Sequence, residues 1–188
     1  MTTKKSKNTT CKKYRPQYEY THTQEFIDNL PYIIMTILGA IILIIGFKFS
    51  LLGILAGIIF IVYSIIGTFA IILYVCPYCR YYDTRACPCG YGQIAAKVRE
   101  KRDGDRFNEK FKKHIPIIFP LWIIPIVVAV ISLIYELSII MIILLVLFIF
   151  DSIIVLPLVS RKYGCAHCPQ KATCPWMVKK NKKVASSN

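Results

Sequence analysis

Cysteine is the residue type in this chain best suited to chemistry, and seven of its eight cysteines fall into two short clusters. The first cluster reads CPYCRYYDTRACPCGYG and the second reads CAHCPQKATCP. Both contain a CxxC pair that is followed, after seven or five residues, by a Cys-Pro dipeptide. This shared pattern indicates two similar halves, each ending in a cysteine motif.

Paired CxxC thiols in a reducing compartment typically hold a metal, either zinc in a tetrahedral site or an iron–sulfur cluster. The first cluster predicts a site whose ligands are Cys76, Cys79, Cys87 and Cys89. The second cluster predicts a site whose ligands are Cys165, His167, Cys168 and Cys174. A single shared centre, to which each half contributes part of the ligands, is the alternative arrangement.

Prolines and aromatic residues around the thiols bear on the choice of metal. Proline directly follows four of the cysteines, as it does in some iron–sulfur motifs: Cys76, Cys87, Cys168 and Cys174. Nearby tyrosines are candidates for shielding a cluster from water. Neither half has the regular CxxCxxC spacing of a ferredoxin. The sequence therefore favours an iron–sulfur cluster and keeps zinc as the alternative.

Four apolar stretches of the chain position these motifs. The whole chain is 55% hydrophobic, with a mean hydropathy of +0.51. This is too apolar for an ordinary soluble domain of the same length. The stretches are nearly free of charge and cover residues 31–47, 51–75, 115–135 and 139–159. Their lengths predict an all-α integral membrane protein with four transmembrane helices in two tandem hairpins. Pro31, which follows Asp28 and Asn29, predicts the start of the first helix.

The net charge of +14 is distributed in a way that predicts topology. Basic residues precede the first span, separate the second from the third and follow the fourth. The two short connections carry only Lys48 and Glu136 as charged residues. The positive-inside rule then predicts a multi-pass cell-membrane protein with both termini and both cysteine motifs in the cytoplasm. Because the charge follows topology, no nucleic-acid partner is expected.

The chain divides into seven segments on this interpretation. They are a basic N-terminal segment (1–30), two transmembrane hairpins (31–75 and 115–159), two cysteine motifs (76–92 and 160–178), a basic amphipathic segment (93–114) and a disordered tail (179–188). The basic segment predicts a short helix, broken at Asp103, that lies on anionic lipid headgroups. A solvated charged loop is the alternative.

Asp151 is the one acid well inside a predicted span, about ten residues or roughly 15 Å of helix from Arg161. With no basic residue at its depth, we expect a neutral carboxyl hydrogen-bonded to Ser64, Thr68 or Ser152. Such a group is either a polar packing contact or part of a transport or proton-transfer path.

Two features of the spans predict how they pack. Gly53 and Gly57 form a small-xxx-small face for close helix packing. Pro116, Pro120 and Pro125 predict a third span that is kinked or irregular in its first turns.

Four functions fit these patterns. The favoured one is an iron–sulfur electron-transfer or redox subunit, and the alternative is a membrane scaffold whose zinc knuckles dock a cytoplasmic or membrane protein partner. A thiol–disulfide oxidoreductase and a small transporter are lesser alternatives. The spans contain no histidine, so a haem held by histidines within the bundle is excluded. No catalytic triad, carboxylate pair or nucleotide fingerprint assigns an enzyme class.

Overall fold

A computed structural model describes residues 19–165 of the chain, with side chains up to residue 162. All the regular structure in this range is helical, which confirms the all-α part of the predicted fold class. The α-helices are α1 (His22–Gly46), α2 (Leu51–Tyr74), α3 (Tyr91–Val98), α4 (Phe107–His114), α5 (Pro120–Tyr135), α6 (Ile139–Phe150) and α7 (Leu156–Val159). Short 3₁₀ turns cover Cys76–Tyr78, Gly104–Arg106 and Ile115–Ile118.

Four helical stretches within this range are long and apolar enough to cross a membrane. They are His22–Gly46, Leu51–Tyr78, Gly104–Tyr135 and Ile139–Lys162. They correspond to the four predicted spans, and both hairpins have the expected short connections. Helical backbone satisfies its own hydrogen bonds, as a lipid environment requires.

The start of α1 differs from the sequence-based prediction. The helix begins at His22, nine residues before Pro31, and Pro31 lies inside it. Thr21 forms a capping box, because its side chain accepts the Gln24 N–H at 3.4 Å while the Gln24 side chain accepts the Thr21 N–H at 3.0 Å. This reciprocal pair satisfies two otherwise free donors and allows the helix to begin there. Two additional turns of α1 therefore precede the predicted span.

Helix α1 is the centre of the arrangement, since α2, α5 and α6 all pack against it. Its residues Met35, Ile42 and Leu43 are buried in a common core with side chains from every other long helix. The outer faces carry many exposed apolar residues, such as Ile59 and Ile139. A surface of this kind is suited to lipid contact.

The small-residue face of α2 packs against α1 as predicted. A Cβ atom added at Gly53 would lie 2.9 Å from the Ile44 carbonyl oxygen. At Gly57, an added Cβ would lie 2.9 Å from the Ile44 side chain and 3.3 Å from the Ala40 carbonyl oxygen. The absence of side chains at these two positions lets the two backbones approach closely.

We expect Gly53→Ala to destabilise the protein by about 1–3 kcal/mol, because the new methyl group meets backbone that cannot rotate away. Gly67→Ala is the matched control on the same helix, where the nearest atom would be an Ile118 side-chain carbon at 3.5 Å. Thermal unfolding in detergent, followed by circular dichroism, measures both. Equal melting temperatures for the two variants would contradict the close packing of α1 and α2.

The third span has the irregular beginning that its prolines predict. Residues Ile115–Ile118 form a 3₁₀ turn, α5 starts at Pro120, and Pro125 is fully buried inside α5. The preceding segment contains two helices, α3 and α4, and α3 ends at Val98, before the predicted break at Asp103. Along α3, Ala95 is buried while Ile94 and Val98 are exposed.

The fourth span changes its hydrogen-bonding pattern halfway along. After α6, residues Asp151–Val155 form a π-helical turn, and a second π-helical stretch, Ser160–Cys165, follows α7. Pro157 explains the first change, because it has no N–H to offer the carbonyl four residues earlier and its ring crowds that carbonyl. The helix relieves this conflict by widening locally.

Candidate metal centre

The first cysteine motif forms a loop between α2 and α3, which we call the cysteine loop (residues 76–92). None of its four cysteines forms a disulfide bond, and all four are partly buried. Cys76 begins the 3₁₀ turn at the end of α2, and the Cys79 N–H donates to the Cys76 carbonyl at 3.0 Å. This turn brings the two members of the CxxC pair to the same side of the chain.

The two additional turns of α1 hold the cysteine loop in place. The Tyr20 N–H donates to the Arg85 carbonyl at 2.8 Å, and an Arg85 guanidinium nitrogen lies 3.2 Å from His22 Nε2. Asn29 Nδ2 donates to the Cys89 carbonyl at 3.1 Å. These contacts span the loop from its middle to its last cysteine, so α1 fixes its position.

One thiol of the loop contacts a carboxyl group of α1 directly. Cys89 Sγ donates to Asp28 Oδ2 at 2.9 Å. Asp28 is only 8% exposed, and its second oxygen, Oδ1, is buried with no hydrogen-bond partner. Burial, followed by the negative charge of Asp28, raises the pKa of the Cys89 thiol well above its ordinary value. Without a cation, this thiol therefore keeps its proton.

Backbone amides surround the sulfur of Cys87. The Gly92 N–H donates to Cys87 Sγ at 3.4 Å, the Gly90 N–H donates to the Cys87 carbonyl at 3.1 Å, and the amides of Cys89, Gly90 and Tyr91 act with that of Gly92 to lower the pKa of the thiol. Burial raises the pKa of the Cys87 thiol, and these amides partly offset that effect. Amide donors aimed at a sulfur stabilise a thiolate and, equally, a metal-bound thiolate.

Pairwise electrostatic interactions link the four thiols of the first predicted site. Cys76 interacts electrostatically with Cys87 and Cys79, and Cys89 interacts with Cys87 and Cys76. The part of the chain that the structure describes contains no group of three or more His, Cys, Asp or Glu side chains already arranged to hold a metal ion. Metal binding by these four thiols therefore stays a prediction.

The second predicted site lies almost wholly outside the described residues. Cys165 ends the π-helical stretch Ser160–Cys165, which contacts α1. His167, Cys168 and Cys174 fall beyond residue 165. A second site and a shared centre both stay predictions.

Asp151 is buried, at 6% exposure, but it does not form the predicted hydrogen bonds. The Ser64 and Thr68 hydroxyls donate to Tyr32 Oη at 2.9 and 3.3 Å, and the Ser152 hydroxyl donates to the Ile149 carbonyl. The Ser64 and Thr68 hydroxyls bond to Tyr32 because Tyr32 lies on α1, which packs against α2. Among the described residues, Asp151 Oδ2 has no hydrogen-bond partner.

Sequence reasoning missed the contribution of α1 to the site. His22, Glu25 and Asp28 recur at three-residue intervals along the added turns, and all three lie beside the cysteine loop. Residues at this spacing share one helix face. The capping box at Thr21 was the available signal, but Asp28 was instead assigned to the start of a helix at Pro31.

Comparison with known proteins gives no assignment. The chain matches no protein-family model, no curated protein and no solved structure.

Proposed function

We propose that this chain is an integral membrane protein that binds a metal through the thiols of the cysteine loop at its cytoplasmic face. The observation that carries the proposal is the gathering of four cysteines, none of them in a disulfide bond, in one partly buried loop. Cys87 has amide donors around its sulfur, and Cys89 has a carboxylate beside it. Both features favour bound metal over free thiols, because a cation removes the burial cost of these groups.

The metal that we favour is an iron–sulfur cluster, which makes the protein an electron-transfer or redox-sensing subunit. Tyr78 and Tyr81 are buried next to the thiols in sequence, at 6% exposure each, and limit the access of water. Hydrogen bonds to the sulfurs and exclusion of solvent tune the reduction potential of an iron–sulfur cluster. The amide donors to Cys87 would therefore shift the reduction potential of a cluster bound there. Electrons would pass along the membrane face to a protein partner.

Structural zinc is the second candidate, and the tethering of the loop favours it. Hydrogen bonds from Tyr20 and Asn29 hold the loop on α1, so a metal there would fix α1 to the end of α2. A closed four-coordinate zinc site is suited to joining two helices in this way. The resulting surface would dock a partner without catalysing a reaction.

Purification of the full chain without air, followed by iron, zinc and acid-labile sulfide analysis and an absorption spectrum, tests the proposal. We expect a brown, oxygen-sensitive protein in which iron and sulfide are present in equal amounts. Colourless protein with stoichiometric zinc would replace the cluster with the structural site. Absence of both metals from folded protein would overturn metal binding altogether.

A further inference from the structure

We infer that a lipid-facing groove between α1 and α2 binds the ring of a membrane quinone. The groove has a volume of about 520 Å³ and lies along the halves of the two helices that are nearest the cysteine loop. Tyr91, which belongs to that loop and begins α3, also lines it. The choice of a redox-active ligand rests on the proposed function, whereas binding itself requires only the groove.

The walls of the groove are apolar and open toward the surface that is suited to lipid contact. Ile33 and Ile37 of α1 and Ile61 and Ile65 of α2 line it, and each of these side chains is 40–54% exposed. A cleft of this size and lining is typical of small-molecule sites, whose volumes are about 300–1,000 Å³. A ligand dissolved in the bilayer can enter such a groove from the side without crossing water.

The polar groups of the groove are neutral. Asn29, Tyr32 and Thr36 follow one face of α1 over about 10 Å of helix. Ser64 and Thr68 of α2 lie opposite, within hydrogen-bond distance of that face. No Asp, Glu, Lys, Arg or His side chain is among the described residues that line the groove. A fatty-acid carboxylate or a phospholipid phosphate would lack a counter-charge there, so a neutral head fits best.

Two hydroxyls of the groove can donate to a ligand. The Thr68 hydroxyl lies within reach of Tyr32 Oη and the Ser64 carbonyl, at 3.3 and 3.1 Å, but each of these acceptors already has another donor. Thr68 can therefore turn toward a ligand without leaving either acceptor unfilled. The Tyr91 hydroxyl forms no hydrogen bond with a described residue, and burial raises the pKa of Tyr91, so the phenol keeps its proton. Two donors suit a ligand with two acceptors, such as the carbonyls of a 1,4-quinone.

Aromatic side chains and the position of the groove favour a quinone among neutral lipids. Phe26 of α1, Phe69 of α2 and Tyr91 line the groove, and aromatic rings stack well on a planar ligand. Asn29 joins the groove to the cysteine loop, because its side chain lines the groove while its Nδ2 donates to the Cys89 carbonyl at 3.1 Å. A planar, neutral, redox-active lipid bound there lies beside the thiols that the proposed function assigns to a redox centre.

The test titrates ubiquinone-1 into the full-length protein in nanodiscs of dioleoylphosphatidylcholine and measures binding by calorimetry against empty nanodiscs. The ring of ubiquinone-1 is fully substituted, so it offers cysteine thiols no open position. We expect Ile65→Trp to weaken binding by about tenfold or more, because the larger side chain fills the groove. Ile66→Trp is the matched control, since it adds the same bulk outside the groove at a similarly exposed position (57% against 54%). Its affinity should stay within about twofold of the wild type.

Removal of single hydroxyls tests the two donors. Tyr91→Phe and Thr68→Val should each weaken quinone binding by about 2–10-fold, because each loses one hydrogen bond to the ligand. Tyr74→Phe makes the same change as Tyr91→Phe at a residue outside the groove and should leave the affinity unchanged.

Equal binding by Ile65→Trp and Ile66→Trp would overturn the inference. Equal competition by dioleoylglycerol would also overturn it, because the groove would then be a general site for neutral lipids. Helical circular dichroism shows whether Ile65→Trp folds, and if it does not, Tyr91→Phe and Thr68→Val decide the question. Metal content is measured on the same preparations. Bound metal without quinone binding overturns this inference alone, whereas quinone binding by folded protein without metal overturns the proposed function alone.

Discussion

Cys89→Ser is expected to remove the metal bound by the cysteine loop, the largest effect expected of any single substitution in this protein. Cys89 is the residue at which the thiol set meets α1, since its sulfur contacts Asp28 and its carbonyl accepts from Asn29. A serine hydroxyl fills nearly the same space but stays protonated and is a poor ligand for thiophilic metals. Metal bound at the cysteine loop after oxygen-free purification should fall by about tenfold or more.

Cys11→Ser is the matched control for this experiment. Cys11 is the cysteine that belongs to neither cluster, so its replacement removes a thiol without removing a predicted ligand. Its metal content should equal that of the wild type. Full metal content in Cys89→Ser, or equal losses in the two variants, would contradict a centre built on the cysteine loop.

Gly92→Ala is expected to have the second largest effect, although the substitution changes no ligand. A Cβ at position 92 would lie 2.4 Å from the Tyr81 carbonyl oxygen and 3.3 Å from Cys87 Cβ. Backbone must move to relieve this overlap, at a cost of about 3 kcal/mol. The movement withdraws the Gly92 N–H from Cys87 Sγ, so metal affinity should fall by about 10–100-fold.

Chelator competition measures that affinity, and circular dichroism shows whether the helices persist. Gly104→Ala is the matched control, because its Cβ would also face a tyrosine carbonyl, that of Tyr78, but at an ordinary 3.5 Å. We expect affinity within about twofold of the wild type for this control, since no neighbour has to move. Wild-type affinity in Gly92→Ala would show that the loop is not ordered around Cys87.

The four long apolar helices could be predicted from the sequence because the signal is local. A stretch such as residues 51–75 is apolar over a length that crosses a bilayer, and its backbone must hydrogen-bond within itself. The packing role of Gly53 and the irregular start of the third span also followed from local chemistry. The start of α1 was missed because Pro31 is compatible both with a first turn and with a helix interior.

The candidate site was predicted only in part, because half of it comes from contacts that are remote in the chain. The spacing of Cys76, Cys79, Cys87 and Cys89 placed four thiols in one loop and indicated metal chemistry. Asp28 is 61 residues away from Cys89, and no short-range pattern connects the two. Their contact exists because α1 extends beyond its apolar span and its additional turns lie beside the cysteine loop.

Asp151 shows the same division between local and tertiary information. The amino-acid pattern predicted an acid within an apolar helix, whereas the π-helical turn at Asp151–Val155 was seen only in the structure. The hydrogen bonds of the nearby hydroxyls depend on how α1 and α2 pack. The Ser64 and Thr68 hydroxyls donate to Tyr32 and not to Asp151. Composition and local spacing thus predicted the apolar helices and the grouping of the thiols. The side chains that contact them became visible only in the folded chain, because those partners lie on other helices.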